Sequence, residues 1–291
     1  MPFPILNEYL TRLSDPSHAP ATVSINRDGQ AQGRFFDCML TSAFRPIDAV
    51  GGAGLLGFEA LVRKASEQSA DHSLWRMLDH AASDEESVEL DRLCRMLHAI
   101  NFFRQPEAAG ADLYLSVHDR LLSAVSSNHG YAFRRILAAL GLPGARIVLQ
   151  LPAASASRRW LLNYVADNYR RNGFRLALNV ATPAEAFAVL DQVRPDAVKI
   201  DSGALQDAAE LERVLALAHA RSAKLIVTRV EIPATLSMPE RASTATGVPV
   251  YAQGHLIGAP QAVLPDSASC RNRARAPAAS SSNRRLCFRE P

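Results

Sequence analysis

Gly57-Phe58-Glu59-Ala60-Leu61-Val62-Arg63 places one acid inside an otherwise apolar run. It follows a glycine-rich turn (Gly51, Gly52, Gly54), and Leu55 to Val62 reads as a buried strand. A buried strand that stops for a single carboxylate needs a reason, because an unpaired charge away from water is costly. One reason is a salt bridge to the nearby Arg63. The other is a metal or substrate ligand at the end of a barrel strand. Several later strands also end in polar residues, which favours the second.

Working outward, strand-like and helix-like runs alternate. Phe44 to Val50 is a short strand joined to Leu55–Val62 by the glycine turn. Leu74 to Phe103 is helical with a break, and Ser83 with Glu86 has the spacing of a capping box that opens the second helix. Asp112 to His118, Arg146 to Leu151, Phe174 to Val180, Ala197 to Asp201, Lys224 to Val230 and Val248 to Gln253 complete eight strands. Helices are expected at 121–126, 132–140, 158–171, 183–193 and 208–220. Such alternation predicts parallel pairing and a TIM-like (β/α)8 barrel in the α/β class. The glycine turn is too short for a parallel crossover, so one antiparallel strand is expected. A doubly wound open sheet is the competing arrangement.

Of the 291 residues 48% are hydrophobic and 21% charged, which fits a soluble protein of one barrel-sized domain or two small ones. No run suits a membrane span, and Met1-Pro2-Phe3-Pro4 shows no cationic leader, so a cytoplasmic location is expected. Four scattered cysteines form no CxxC pair. The net charge of +3 is uneven: the segment from Ser267 carries six arginines and one acid, +5, leaving −2 for the body. Nucleic acid is therefore not an expected partner of the body. The chain divides into a helix and polar linker (1–34, the helix placing Leu6, Tyr9, Leu10 and Leu13 on one face), a barrel (35–262) and a basic tail expected to be disordered (263–291).

Round the proposed barrel, the polar strand ends are Glu59, His118, Gln150, Asn179, Lys199 with Asp201, Glu231 and Gln253. Each has a plain structural explanation alone: a rim histidine, strand-end caps, a local Lys199–Asp201 ion pair. Together they mark the mouth at which barrels host chemistry.

The order of short motifs resembles the EAL domain, the bacterial phosphodiesterase and sensor module for cyclic di-GMP. Phe44-Arg45-Pro46-Ile47 is similar to its opening QPI strand, and Glu59-Ala60-Leu61-Val62-Arg63 to its EALLR signature. Leu115-Ser116-Val117-His118, Leu149-Gln150-Leu151-Pro152-Ala153 and Leu178-Asn179-Val180-Ala181 are similar to LSVN, LEITE and IDDFG. Pro195 to Asp201, Thr228-Arg229-Val230-Glu231 and Gln253-Gly254-His255-Leu256 follow PVDYLKID, EGVE and QGYL. The resemblance runs from about Phe44 to Pro260 and implies a barrel with one reversed strand.

It also implies hydrolysis by two divalent cations held by carboxylates and one Asn. Glu59, Lys199, Asp201, Glu231 and Gln253 keep the family's residues. The Asn is His118, the strand-four Glu is Gln150, and the paired aspartates are Asn179 and Val180. Ala153 and Thr228 stand where the family has further acids, and a shorter Ala181-Thr182-Pro183-Ala184 replaces the loop that couples metals to dimerisation, so the oligomeric state stays open. Two cations bring four charges against Glu59, Asp201 and Glu231, with Lys199 adding one back. No two-metal centre and no cofactor are expected. A receptor for cyclic di-GMP, with Arg63 gripping phosphate and Asp201, Glu231 and Gln253 facing base or ribose, is one expectation; a module acting through a protein partner is another. Arg45 and Arg229, replacing Gln and Gly, would add phosphate contacts or pair with Glu59 and Glu231. The alternative is an active phosphodiesterase with one atypical metal site at Glu59, His118 and Glu231, dependent on Mg2+, Mn2+ or Zn2+.

Overall fold

The computed structural model describes residues 3–14, 22–52, 54–66, 83–117, 129–152 and 159–265. In chain order these form α1 (Pro4–Ser14), β1 (Val23–Ile25), β2 (Ala31–Phe35), β3 (Cys38–Ala49), β4 (Leu55–Lys64) and α2 (Asp84–Phe103). There follow β5 (Asp112–Ser116), α3 (His129–Ala139), β6 (Ile147–Leu151), α4 (Arg159–Arg171), β7 (Arg175–Val180) and α5 (Pro183–Gln192). The series ends with β8 (Ala197–Asp201), α6 (Ala208–Ala220), β9 (Lys224–Thr228), α7 (Ser237–Thr246) and β10 (Tyr251–Ala252).

Strands β3 to β10 form a closed eight-stranded ring: β4 to β10 pair in parallel in chain order, and β3 closes the circle antiparallel to both β4 and β10. That closure rules out the open doubly wound sheet. The reversed strand is β3, and the cause is local. Gly51 and Gly52 take φ of 79° and 82° in the tight turn to β4, a conformation that side chains resist and a span no crossover helix could bridge.

Several expectations are corrected. The stretch expected to be a polar linker, 14–33, carries β1 and most of β2, which add antiparallel to the first residues of β3 outside the ring. β3 itself begins at Cys38 rather than Phe44. Helix α7 was not anticipated; it is polar, starts without a side-chain cap and has Pro239 at its third residue. The expected last strand shrinks to Tyr251–Ala252, and the strand before it ends at Thr228. The helical runs 74–82 and 121–126, His118 and the tail from 266 lie outside the described residues.

Inside the ring, side chains stack in layers drawn from alternate strands, as barrel interiors require. Leu56, Val148, Ala197 and Tyr251 come from the even-numbered strands, and Ile47, Tyr114, Ala177 and Ile226 from the odd ones. Two residues further toward the strand ends, or three on β4 where the register with β3 shifts, the layers turn polar, which places the site.

Outside the ring, α2 covers β3 and β4. Its start is fixed by the expected capping box: Ser83 Oγ accepts from Glu86 N at 3.2 Å and Glu86 Oε2 accepts from Ser83 N at 2.7 Å. Phe102 packs on Phe44 and Phe58, ring centroids 5.7 and 6.0 Å away. A buried polar stripe runs along the same helix. Asp91 binds Arg95 at 2.6 Å, and that guanidinium lies 5.8 and 5.7 Å from the rings of Phe133 and Tyr169. His98 Nδ1 shares a 2.8 Å hydrogen bond with Ser42 Oγ. Asn101 accepts from Ala31 N at 2.7 Å and donates to Ala31 O at 2.9 Å, tying β2 to the barrel wall. Among the described residues no helix is long and apolar enough to cross a membrane.

Candidate functional site

The first polar layer consists of Glu59 from β4, Gln150 from β6, Lys199 from β8 and the residue after β10, Gln253. All four meet on the axis. Gln150 Nε2 donates to Glu59 Oε1 at 2.9 Å, and Gln253 Nε2 donates to Glu59 Oε2. The Lys199 ammonium donates to Gln150 Oε1 and lies 3.4 Å from Glu59 Oε1. Gln150, Lys199 and Gln253 are all buried. The cation that answers the acid of β4 is therefore Lys199, rather than Arg63, whose Nη2 donates to Gln30 Oε1 at 3.4 Å.

Electrostatics follow from this closure. Burial alone would raise the Glu59 carboxyl, yet Lys199, both amides and Arg45 favour the anion and hold it below its ordinary value. Burial draws the Lys199 ammonium below its ordinary value, opposed by Glu59 and aided by Arg45. One anion and one cation cancel, and the amides fill the remaining directions, so the layer is neutral.

Above it, the odd strands contribute Arg45, Ser116, Asn179 and Thr228, each two residues mouthward of the apolar layer. Asn179 Nδ2 donates to Leu151 O at 3.2 Å and Thr228 Oγ1 to Ile200 O at 3.2 Å. Arg45 stands opposite Glu59 in the β3–β4 register. Its Nε and the Oε1 of Gln253 are buried with no hydrogen-bond partner among the described residues.

Asp201 and Glu231 lie at the rim. Asp201 does not pair with Lys199; Arg229 Nη1 reaches its Oδ2 at 2.8 Å. Arg229 has φ of 57°, a backbone suited to glycine, and its side chain is 77% exposed, so this ion pair contributes under about 1 kcal/mol. The expected alternative partner, Glu231, instead accepts from His255 N at 3.4 Å. Gly254 sets this corner: a Cβ there would fall 2.1 Å from Val230 O. Only glycine lets the β10 end cross this backbone with Gln253 on the axis and His255 at the rim. Among the described residues no group of three or more His, Cys, Asp or Glu side chains has metal-site geometry.

The structure thus gathers Glu59, Gln150, Lys199, Gln253 and Arg45, and leaves Asp201 and Glu231 on the rim. Sequence reasoning named these residues but not their pairing, since Glu59 and Lys199 are far apart in the chain and nothing local links them. Ser116, which lies 3.3 Å from Gln150 Nε2, was read only as part of a motif. Its place two residues beyond Tyr114 on β5 was the available signal.

Comparison with known proteins agrees with this fold. No curated protein matches the chain in sequence. Among solved structures, a standalone EAL protein from Vibrio cholerae with cyclic di-GMP bound is 18% identical, with 80% of this chain and 97% of that one covered and a TM-score of 0.59. The Bacillus subtilis YkuI protein, with an EAL domain, in complex with cyclic di-GMP and calcium, is 20% identical over 81% of this chain and 58% of its own, TM-score 0.65. The Xanthomonas citri FimX EAL domain in complex with cyclic di-GMP is 16% identical over 77% and 88%, TM-score 0.61. At such identities the likeness speaks for the fold. The sequence profile of the EAL domain, however, matches residues 30–260, most of the chain. This chain belongs to the EAL domain family.

Proposed function

We propose that this EAL domain is a cyclic di-GMP receptor that does not hydrolyse the nucleotide. One observation carries the reading: both oxygens of Glu59 are engaged by amide N–H donors, with the Lys199 ammonium 3.4 Å from one of them. Hard divalent cations need several free oxygen ligands, most of them charged. Here Gln150 and Asn179 supply amides, Val180 supplies none, and Gln150 turns its N–H toward the carboxylate. The donor set does not fit two divalent cations. Nor does it favour a single ion at Glu59, His118 and Glu231, because Glu59 is committed to the floor while Glu231 lies on the rim against His255. Without a metal-bound hydroxide, nothing on the floor generates a nucleophile for a phosphodiester.

Binding is a lesser demand. Arg63 and Arg45 offer guanidinium groups suited to phosphate oxygens. Asp201, Glu231 and Gln253 offer acceptors for guanine N–H and ribose hydroxyl groups. The solved relatives that resemble this fold hold cyclic di-GMP. The Arg229–Asp201 pair favours a second reading, in which the rim is closed to nucleotide and the domain acts through a protein partner. Calorimetry with cyclic di-GMP in the presence of EDTA, followed by product analysis after addition of Mg2+ or Mn2+, tests the proposal. Saturable binding with no linear pGpG is expected. Turnover would refute the non-catalytic reading, and absence of binding would favour the second.

A further inference from the structure

The floor of the mouth is neutral, but the layer above it is not. Glu59 and Lys199 cancel one another, so Arg45 is an excess positive charge. It faces Glu59 across the β3–β4 pair, is half-buried, and its Nε makes no hydrogen bond to any described residue. Lys199 lies close enough to be disfavoured by it. A half-buried guanidinium with a buried, unanswered N–H beside another cation is destabilising by itself, so a position that keeps one invites an anion. Gln253 supplies an independent sign of the same vacancy in bonding. It is 2% exposed, its amide N–H is spent on Glu59, and its Oε1 has no donor. Arg45 is therefore an unanswered cation above the floor, and Gln253 Oε1 an unanswered acceptor buried within it.

We infer that Arg45 is the fixed cation by which this mouth holds a phosphodiester of a cyclic dinucleotide without any metal ion. The inference rests on the receptor reading and adds which group supplies the charge. A guanidinium remains protonated at any working pH and meets phosphate oxygens in a forked geometry. It carries one positive charge, which matches one phosphodiester, and it cannot turn a bound water into hydroxide as a metal ion does. Recognition without turnover follows from the same residue.

Calorimetry with cyclic di-GMP in EDTA, on the wild type and on Arg45→Gln and Arg45→Lys, tests this, with thermal melting of each protein as a folding control. Wild type should bind in EDTA, with affinity falling as salt rises. Arg45→Gln should bind roughly tenfold or more weakly, the loss of one charge-assisted hydrogen bond. Its melting temperature should stay level or rise, since a like charge near Lys199 has gone. Arg45→Lys should fall between the two, and it serves as the test variant if the glutamine form does not fold. Equal binding by wild type and both variants would overturn the role of Arg45 and leave the receptor reading intact. Binding that appears only with Mg2+ or Mn2+ would overturn metal-free anchoring. No binding by folded wild type under either condition would overturn the receptor reading itself, and this inference with it.

Discussion

Replacing Lys199 by Met keeps the volume and the stem of a buried side chain and removes its charge together with the N–H it gives Gln150 Oε1. The Lys199 ammonium lies 3.4 Å from Glu59 Oε1, which at an effective dielectric near 20 is about 5 kcal/mol of gross attraction. Part of that is returned, because burying the ammonium is itself unfavourable. Removing one partner of a buried pair leaves the other uncompensated, and a net loss of roughly 3 kcal/mol at pH 7 is expected. Glu59→Gln should cost a similar amount, for it strands Lys199 beside Arg45. The double variant should recover most of either loss, since the layer is neutral again. Sign and pH follow from Glu59. Its carboxyl titrates below its ordinary 4.5, so its stabilising contribution is complete above that value and is lost as pH falls through the lowered one. The gap between wild type and Lys199→Met should therefore narrow in acid. Urea unfolding of all four proteins at pH 7 and pH 4 measures the cycle. Losses below about 1 kcal/mol that simply add in the double variant would show that Lys199 does not hold Glu59.

Further outcomes concern the frame around the site. Burial pushes His98 down from 6.5 to about 3, so the folded state keeps it neutral while the unfolded chain takes up a proton. Between those values stability should fall by about 1.4 kcal/mol per pH unit, a slope that His98→Leu should remove in acid urea titrations. Asp91→Ala leaves Arg95 buried without its anion and should cost roughly 3–5 kcal/mol, read from the denaturation midpoint; little change would mean the two aromatic rings suffice. Gly254→Ala places a methyl 2.1 Å from Val230 O and 2.5 Å from Val230 N, backbone that cannot turn aside, and should cost about 3 kcal/mol or more by the same measure. Arg229→Gly should be neutral or stabilising by about 1 kcal/mol, because an exposed ion pair is exchanged for relief of a left-handed residue. A clear loss there would show the rim pair to be stronger than its exposure implies.

Much of the frame was legible because its signals are local. The glycines between Ala49 and Leu55 announced the reversed strand, and Ser83 with Glu86 announced the start of α2. What escaped was held by distant partners. β1 and β2 are three and five residues long with mixed polarity, and they are strands because β3 offers an edge. The polar stripe of α2 was missed although Asp91, Arg95, His98 and Asn101 recur at helical spacing; on a helix read for its apolar face they pass for the solvated side. At the mouth, sequence named Glu59 and Lys199 but could not join them. The choice between Arg63 and a cation from β8 is made by closure of the ring, which no local pattern records.

The floor of alternate-strand residues also constrains which substitutions the barrel accepts. Glu59, Gln150, Lys199 and Gln253 share their bonds, so no one of them changes independently. Placing a glutamate at position 150 would set two acids on one lysine and discard the amide that bridges Glu59 and Lys199. Conversion to a cation-binding floor would have to pass through several joint replacements, each intermediate less stable than either end. The barrel is thereby locked by its own packing into whatever task it now performs.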